Sequence, residues 1–234
     1  MAVTLLYAAQ STGSGYATIT GNATFTLAGG ETLVVMMNGF STSDVGAPTD
    51  SNGTLIKQTA AYVAFSSSSL THGGFYTEAN AAAGSHTITP PVIAGGSDGM
   101  VAVWKLTNMP ATLNIRASTK LQQVTASNSF TLTASTPSTP QAGDIAIGCR
   151  FHENSVPSTD VITPPSGWTS DFQYLNGAVN LPTDGSHFTV VSNGALAATW
   201  TDIDPAITDT SGAMLVLVPN PAASGTGLMG QGCC

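Results

Sequence analysis

The stretch GETLVVMMNGF, residues 30–40, decides the fold of this 234-residue chain, because its pattern returns as GDIAIGCRF at residues 143–151. In both copies a glycine and an acidic residue precede a short apolar run. Such a run after a turn signal is typical of a buried β-strand. The two glycines lie 113 residues apart (143 − 30), and a fixed separation of this kind indicates an internal repeat.

Further residue matches support the repeat and set its limits. Three pairs share the same separation and a fourth slips by one residue. The pairs are Phe75 and Phe188, Asn80 and Asn193, Gly99 and Gly212 and, with the slip, Gly53 and Gly167. We therefore predict two modules, residues 1–116 and 117–220, followed by a Gly-rich interaction tail at 221–234. The junction retains β-forming residues, so we expect the modules to pack closely rather than swing on a tether.

Short β-rich runs separated by Gly, Pro, Asn and Ser continue through the chain, and no window sustains the period of an amphipathic helix. Alternation is clear in ATFTLA and SFTLTA. There Phe25 and Leu27, and likewise Phe130 and Leu132, are predicted to share one face while the threonines point away. The prediction is an all-β chain of two tandem β-sandwich or jelly-roll-like modules.

Composition excludes several classes of partner. Only 8% of the residues are charged, against about 25% in ordinary soluble domains. The 13 acidic and 5 basic residues argue against a nucleic-acid partner, which needs clustered Lys and Arg. No apolar run approaches the roughly 20 residues of a membrane helix. The first residues lack the basic segment of a secretory signal, so we expect synthesis and retention in a cytoplasm until assembly or lysis.

Several turn and strand signatures recur in a known group of proteins. They are the GE and GD turns at Gly30 and Gly143, PPSGWT at 164–169, the F-x-x-x-x-N spacing of Phe188 and Asn193, and the G-x-M-x-V-x-V strand at 212–218. Together they resemble duplicated β-sandwich proteins of tailed-phage and prophage genomes, over residues 17–220. The resemblance implies an accessory virion protein of the head, neck, collar or tail, and it carries over no catalytic residue.

Two glycine motifs suggest chemistry that their surroundings do not support. Gly225, Gly227 and Gly230 spell GxGxxG, but a dinucleotide site needs a helix after this turn, and only four residues follow Gly230. The GGSDG stretch around Ser97 spells G-x-S-x-G. A nucleophile elbow needs a following helix, whereas a strand follows here. We predict a polar turn at Ser97, no bound cofactor and no enzymatic activity.

Metal ligands are not evident from residue spacing. Asp202, Asp204 and Asp209 could offer oxygen atoms to Ca²⁺, but the first copy does not repeat them, so we predict a solvated acidic loop. Four histidines also lack a ligand spacing such as HxxxH. They are His72, His86, His152 and His187. We predict no metal site.

Aromatic residues near predicted loops offer one candidate binding surface. Trp168 and Tyr174 could form a platform for a glycan, since aromatic faces stack on pyranose rings. Core packing of Trp168 is the alternative. Trp104, Trp200 and Cys149 lie within predicted strands, so we expect them in the core.

The tail SGTGLMGQGCC, residues 224–234, offers a second candidate surface. Leu228 and Met229 are its only sizeable apolar groups, and we expect them to dock on a neighbouring subunit or another virion protein. Cys233 or Cys234 could then form an interchain disulfide after lysis. Free thiols on a tail held by packing alone are the alternative.

These observations favour a non-enzymatic structural protein of a phage virion that assembles with itself and with other virion proteins. The alternative function is a carbohydrate-binding adhesin or receptor-binding module that recognises a host surface glycan.

Overall fold

The computed structural model describes residues 2–10, 23–41, 46–64, 71–91, 96–123, 128–154, 161–175, 181–202 and 207–221. Sixteen β-strands and their connecting turns and loops make up these ranges, which contain no helix. Accordingly, nothing in them forms a helix long and apolar enough to cross a membrane. The predicted all-β class is confirmed.

The first eight strands form two antiparallel sheets. The strands are β1 Val3–Gln10, β2 Ala23–Leu27, β3 Thr32–Ser41, β4 Thr49–Asp50, β5 Ile56–Val63, β6 Thr71–Glu78, β7 Gly84–Thr89 and β8 Gly96–Leu106. A five-stranded sheet has the order β1-β8-β3-β6-β5, and a three-stranded sheet has the order β2-β7-β4.

The last eight strands repeat this topology. They are β9 Ile115–Gln123, β10 Ser129–Ala134, β11 Ile145–Asn154, β12 Ile162–Thr163, β13 Thr169–Tyr174, β14 Thr183–Thr189, β15 Leu196–Asp202 and β16 Ile207–Leu217. Their sheets have the orders β13-β14-β11-β16-β9 and β10-β15-β12. Adding eight to each strand number of the first half reproduces these neighbours. Because β9 already begins at Ile115, the boundary between residues 116 and 117 falls inside a strand.

The turn before β3 is built in the same way as the turn before β11. Gly30 and Gly143 have positive φ angles of 86° and 94°, which glycine adopts without steric cost. Gly30 donates to the Ala81 carbonyl at 2.9 Å, and Gly143 donates to the Val190 carbonyl at 2.8 Å. Ala81 and Val190 each donate back to the residue after the glycine, at 2.8 and 2.9 Å. The GE and GD signatures therefore mark equivalent turns.

The match between Phe75 and Phe188, in contrast, is not structural. If Gly30 is aligned with Gly143, Met36 corresponds to Cys149. Met36 lies opposite Phe75 on the neighbouring strand, whereas Cys149 lies opposite Gly185. Gly185 thus takes the position of Phe75, and the two phenylalanines face different cores. The separation of 113 residues holds at the turn and fails in β6 and β14. It also fails in β8 and β16, because Gly99 pairs with Gly39, whereas the residue equivalent to Gly39, His152, pairs with Thr210 and not with Gly212.

The predicted alternation in β2 and β10 is confirmed. Phe130 and Leu132 are each 1% exposed, whereas Thr131 and Thr133 point to solvent. In β2 the same face carries buried Leu27 and the partly buried Phe25, and its threonines are exposed. Each outer sheet thus buries one apolar face and presents hydroxyl groups on the other.

Within the described residues, three apolar cores hold the four sheets together. One outer core lies between the sheets of the first half, another lies between the sheets of the second half, and a central core lies between the two five-stranded sheets. The buried members of the central core are Val34, Met36, Ala61, Phe75, Met100, Ala102, Trp104, Leu106, Met109, Ile145, Ile147, Cys149, Phe151, Leu181, Ala213, Leu215 and Leu217. Both halves contribute, so the sheets stack in four layers of three, five, five and three strands.

The two five-stranded sheets face each other as the subunits of a symmetric dimer do. Strand β5 lies against β9, and β1 lies against β13. The first strand of each half therefore opposes the fifth strand of the other half, as a two-fold axis requires. At these edges Lys120 Nζ donates to the Tyr62 carbonyl at 2.9 Å, and the Tyr174 hydroxyl donates to the Ala8 carbonyl at 2.9 Å.

Buried hydrogen bonds also join the halves. The Thr71 hydroxyl donates to Asp209 Oδ2 at 2.7 Å, and the Thr71 N–H donates to the same oxygen at 3.2 Å. Asn38 Nδ2 donates to Thr183 Oγ1 at 3.3 Å. Since a buried polar group without a partner costs about 1–3 kcal/mol, these bonds fix how the two sheets are oriented.

We expect the chain to unfold in one cooperative transition, because the halves share the central core. Met36→Ala removes a fully buried side chain and should lower the free energy of unfolding of the whole chain by about 2–5 kcal/mol. Val191→Ala, at a side chain that is 76% exposed, should change it by less than about 0.5 kcal/mol. Calorimetry checks both values, and two separable transitions would contradict the shared core.

We expect the thiol of Cys149 to be inert in the folded protein. Its side chain lies in the central core, and burial raises its pKa to about 12, so the reactive thiolate is scarce at pH 8. In a Cys233→Ser/Cys234→Ser variant, Cys149 should react with iodoacetamide only after denaturation. Mass spectrometry of the alkylated protein measures this, and stoichiometric labelling of the folded variant would show the core to be open.

Candidate functional site

A cluster of two carboxylates and one imidazole lies beside the outer core of the first half. Asp50 ends β4, Glu78 ends β6 and His86 lies in the middle of β7. One ligand-type atom from each side chain lies within 4.8 Å of the other two. The side chains of Asp50 and His86 are fully buried, and Glu78 is 7% exposed. Three strands from two sheets therefore bring three titratable groups together away from solvent.

The imidazole of His86 is held from both ends and from one face. Its Nδ1 lies 2.6 Å from Asp50 Oδ2, and its Nε2 lies 2.9 Å from the Ala82 carbonyl oxygen. The Phe25 ring stacks on it, with centroids 6.1 Å apart and planes inclined by 4°. Burial by itself lowers the pKa of His86, but the hydrogen bonds to Asp50 and Ala82 and the nearby carboxylate charges outweigh it and raise the pKa.

Glu78 is the most constrained member of the cluster. Burial, followed by the charge of Asp50 and a hydrogen bond to Asp50, raises the pKa of the Glu78 carboxyl. Its Oε2 is buried and has no hydrogen-bond partner. The carboxyl group lies so close to Gly53 that a Cβ atom there would overlap it. Any larger residue at position 53 would have to displace the Glu78 carboxyl.

The arrangement needs positive charge between its carboxylates. Two carboxylates in contact cannot both ionise without a proton or a cation between them. The Glu78 carboxyl lies on one side of Asp50, and the His86 ring lies on the other, with Nδ1 2.6 Å from Asp50 Oδ2. The cluster can therefore hold protons, or it can exchange them for a metal ion.

The second half fills the equivalent space with aromatic rings. With Leu33 aligned to Ala146, the strand pairing places Phe188 at the position of Glu78. Trp168 stacks on Phe188, with centroids 5.6 Å apart and planes inclined by 15°, and it packs against Trp200 at 6.1 Å. Among the described residues, the polar cluster is therefore found in the first half only, and the topology does not require it.

The predicted glycan platform is split between two cores. Trp168 is partly buried against the outer core of the second half, and Phe188 covers one face of its ring. Tyr174 packs against the central core, and its hydroxyl bonds to the Ala8 carbonyl. The structure therefore does not bring the two side chains together on one surface. Trp104, Trp200 and Cys149 are fully buried, as predicted.

Some predictions about polar residues are wrong or lie outside the structure. Ser97 falls in β8, which begins at Gly96, so the predicted turn is a strand paired with β3. Asp202 is buried and lies 3.0 Å from Arg150 Nη1, and Asp209 is buried against Thr71. Neither aspartate is solvated. Asp202 forms an ion pair with Arg150, and Asp209 accepts a hydrogen bond from Thr71. Asp204 lies outside the described residues.

The remaining histidines serve packing and pairing. His72 and His152 are buried, and His187 Nδ1 lies 2.8 Å from Asp171 Oδ1. Asp171 also accepts from Trp104 Nε1 at 2.8 Å, which makes one more link between the halves. The tail residues proposed for docking or crosslinking, Leu228, Met229, Cys233 and Cys234, lie outside the described residues.

The residues of the cluster could not be found from the sequence. Asp50 precedes Glu78 by 28 residues (78 − 50) and Glu78 precedes His86 by 8 (86 − 78), and these separations match no ligand spacing. The one local signal is Gly53, which the repeat pairs with Gly167, but a turn glycine does not reveal which side chain lies above it.

Comparisons with known proteins leave the question of function to the structure. No family model matches the chain, and no curated protein or solved structure matches it.

We expect Trp168 to contribute to stability. Trp168→Ala removes the ring that stacks on Phe188 and should lower the free energy of unfolding by about 2–3 kcal/mol, below the 3–5 kcal/mol of a fully buried aromatic residue. Trp168→Phe keeps a stacked ring and should lose less than half as much. Chemical denaturation measures both. A Trp168→Ala protein that is as stable as the parent but loses glycan binding would instead identify a platform.

Proposed function

We propose that this chain is a non-enzymatic structural subunit of a tailed-phage virion, which assembles with itself and with other virion proteins. The observation that carries the proposal is the dimer-like packing of two β-sandwiches around one central core. This packing makes a single rigid block whose buried polar groups join strands and halves. A block of this kind suits a load-bearing position in a particle.

The outer faces of the block support a role in assembly. In the described strands of both outer sheets, the exposed side chains are serine, threonine or alanine. Thr131 and Thr199 are hydrogen-bonded across strands at 2.8 Å, and Thr24 and Thr87 at 3.2 Å. Such a face can be buried against a partner without removing a charge from water, and that removal is the costly step in burying polar surfaces.

The acidic balance of the chain is consistent with this role. A net charge of −8 keeps free subunits soluble. Contacts between subunits then form at the uncharged faces of the outer sheets. The resemblance of the turn and strand signatures to duplicated sandwich proteins of tailed phages supports the virion as the assembly we propose.

Assembly is tested by sedimentation of the purified protein. The parent should form oligomers, and Thr131→Lys/Thr199→Lys should weaken them at least about tenfold, because a lysine pair placed in a neutral interface must lose its hydration. Val191→Lys adds a charge at an exposed loop residue and serves as the matched control. A parent that remains monomeric over the accessible concentration range would contradict self-assembly.

The location is tested on particles induced from a strain that carries the gene. Mass spectrometry should find the subunit in purified particles, and gold-labelled antibody should mark one fixed position on them. Particles that are complete and infective but lack the subunit would overturn the virion proposal and leave the fold unaffected.

A further inference from the structure

We propose that Asp50, Glu78 and His86 form a structural site for one divalent transition-metal ion, Zn²⁺ in the first instance. The site lies inside the first half and does not depend on assembly, so it goes beyond the proposed function.

The donor set fits such an ion. One imidazole nitrogen and two carboxylate oxygens lie within 4.8 Å of one another. Zn²⁺ binds nitrogen and oxygen ligands at about 2.0–2.1 Å, which places tetrahedral ligand atoms about 3.3 Å apart. The observed spacings, 2.6 Å between His86 Nδ1 and Asp50 Oδ2 and no more than 4.8 Å within the set, bracket this value. The three side chains supply three of the four ligands, and a water molecule would complete the tetrahedron. The imidazole favours Zn²⁺ over Ca²⁺, which prefers oxygen ligands alone.

The surroundings of His86 are those of a metal ligand. Its Nε2–H donates to the Ala82 carbonyl at 2.9 Å, which directs Nδ1 towards the carboxylates. Metal-bound histidines almost always donate their second ring N–H in this way, and the bond fixes the tautomer and the ring orientation. Stacking on Phe25 holds the ring plane as well.

Glu78 supplies a second and independent indication. Its side chain is more than nine-tenths buried, and its Oε2 has no hydrogen-bond partner. A buried carboxylate oxygen without a partner is costly, yet the chain keeps Gly53 beneath it and so leaves room for it. The second half shows that an apolar group, Phe188, fills the same position in the same topology. A cation bound by Glu78 explains why the first half retains a carboxylate there.

The ion would connect the layers of the first half. Asp50 belongs to the two-residue strand β4, which pairs only with β7 in the described structure. Glu78 lies in the five-stranded sheet. One ion bound to both would hold the outer sheet to the inner sheet at its short edge and would stabilise the folded state by mass action.

The test uses the full chain with Cys233→Ser/Cys234→Ser, which removes two strong competing ligands. After treatment with EDTA and desalting, calorimetric titration with Zn²⁺ should give one ion per chain, and Zn²⁺ should raise the melting temperature. Glu78→Gln and His86→Gln should each weaken binding by more than about 100-fold, since even the loss of an outer-shell partner costs 10- to 100-fold. His187→Gln, at a second His–Asp pair, should bind as the parent does.

Glu78→Gln separates a metal role from a purely structural one. Glutamine mimics the protonated acid and keeps a donor towards Asp50, so this variant should melt like the parent in EDTA and lose only the response to Zn²⁺. The proposal is overturned if the parent binds no Zn²⁺, if Glu78→Gln binds it equally well, or if His187→Gln abolishes binding. Stabilisation by Ca²⁺ and not by Zn²⁺ would overturn the assignment to a transition metal.

Discussion

The face-to-face contact of the two five-stranded sheets is the constraint on which the rest of the structure depends. Each of these sheets is apolar on both faces, so each needs cover on two sides. The three-stranded sheets cover the outer faces, and the two halves cover each other's inner faces. Neither half could keep its inner face from water alone. The covalent connection between β8 and β9 therefore does for this chain what dimerisation does for separate subunits.

Once the halves cover each other, their equivalent positions are free to differ. Trp104 and Phe75 fill the central core from the first half, whereas Gly185 in the second half leaves room for the Phe172 ring. The two halves also differ at a second set of equivalent positions. The first half has the Asp50–Glu78–His86 cluster, and the second half has the stacked Trp168 and Phe188. Of these side chains, Glu78 and Phe188 occupy equivalent strand positions. The aromatic arrangement gains by burying apolar surface, and the polar one requires positive charge between its carboxylates.

Buried hydrogen bonds fix the position of one half of the chain relative to the other. Asp209 accepts from Thr71 across the halves, and Asp171 accepts from Trp104. Apolar packing between sheets tolerates sliding, whereas a buried hydrogen bond is lost when its partners shift by one strand position. The structural role proposed for the chain depends on this rigidity, and the proposed metal ion would extend it to the outer sheet.

The sequence by itself determined the all-β class, the alternation in β2 and β10, the equivalent turns at Gly30 and Gly143, and the burial of Trp104, Trp200 and Cys149. These features follow from local backbone preference and from the period-two exposure of a strand, which a few neighbouring residues encode. Only the tertiary structure decided that Phe75 and Phe188 face different cores, that Asp202 is buried beside Arg150, and that Asp50, Glu78 and His86 meet. Each of these depends on pairing between strands that are distant in the chain. A shift of register by one residue reverses which face a side chain occupies, so residue spacing alone does not determine the outcome.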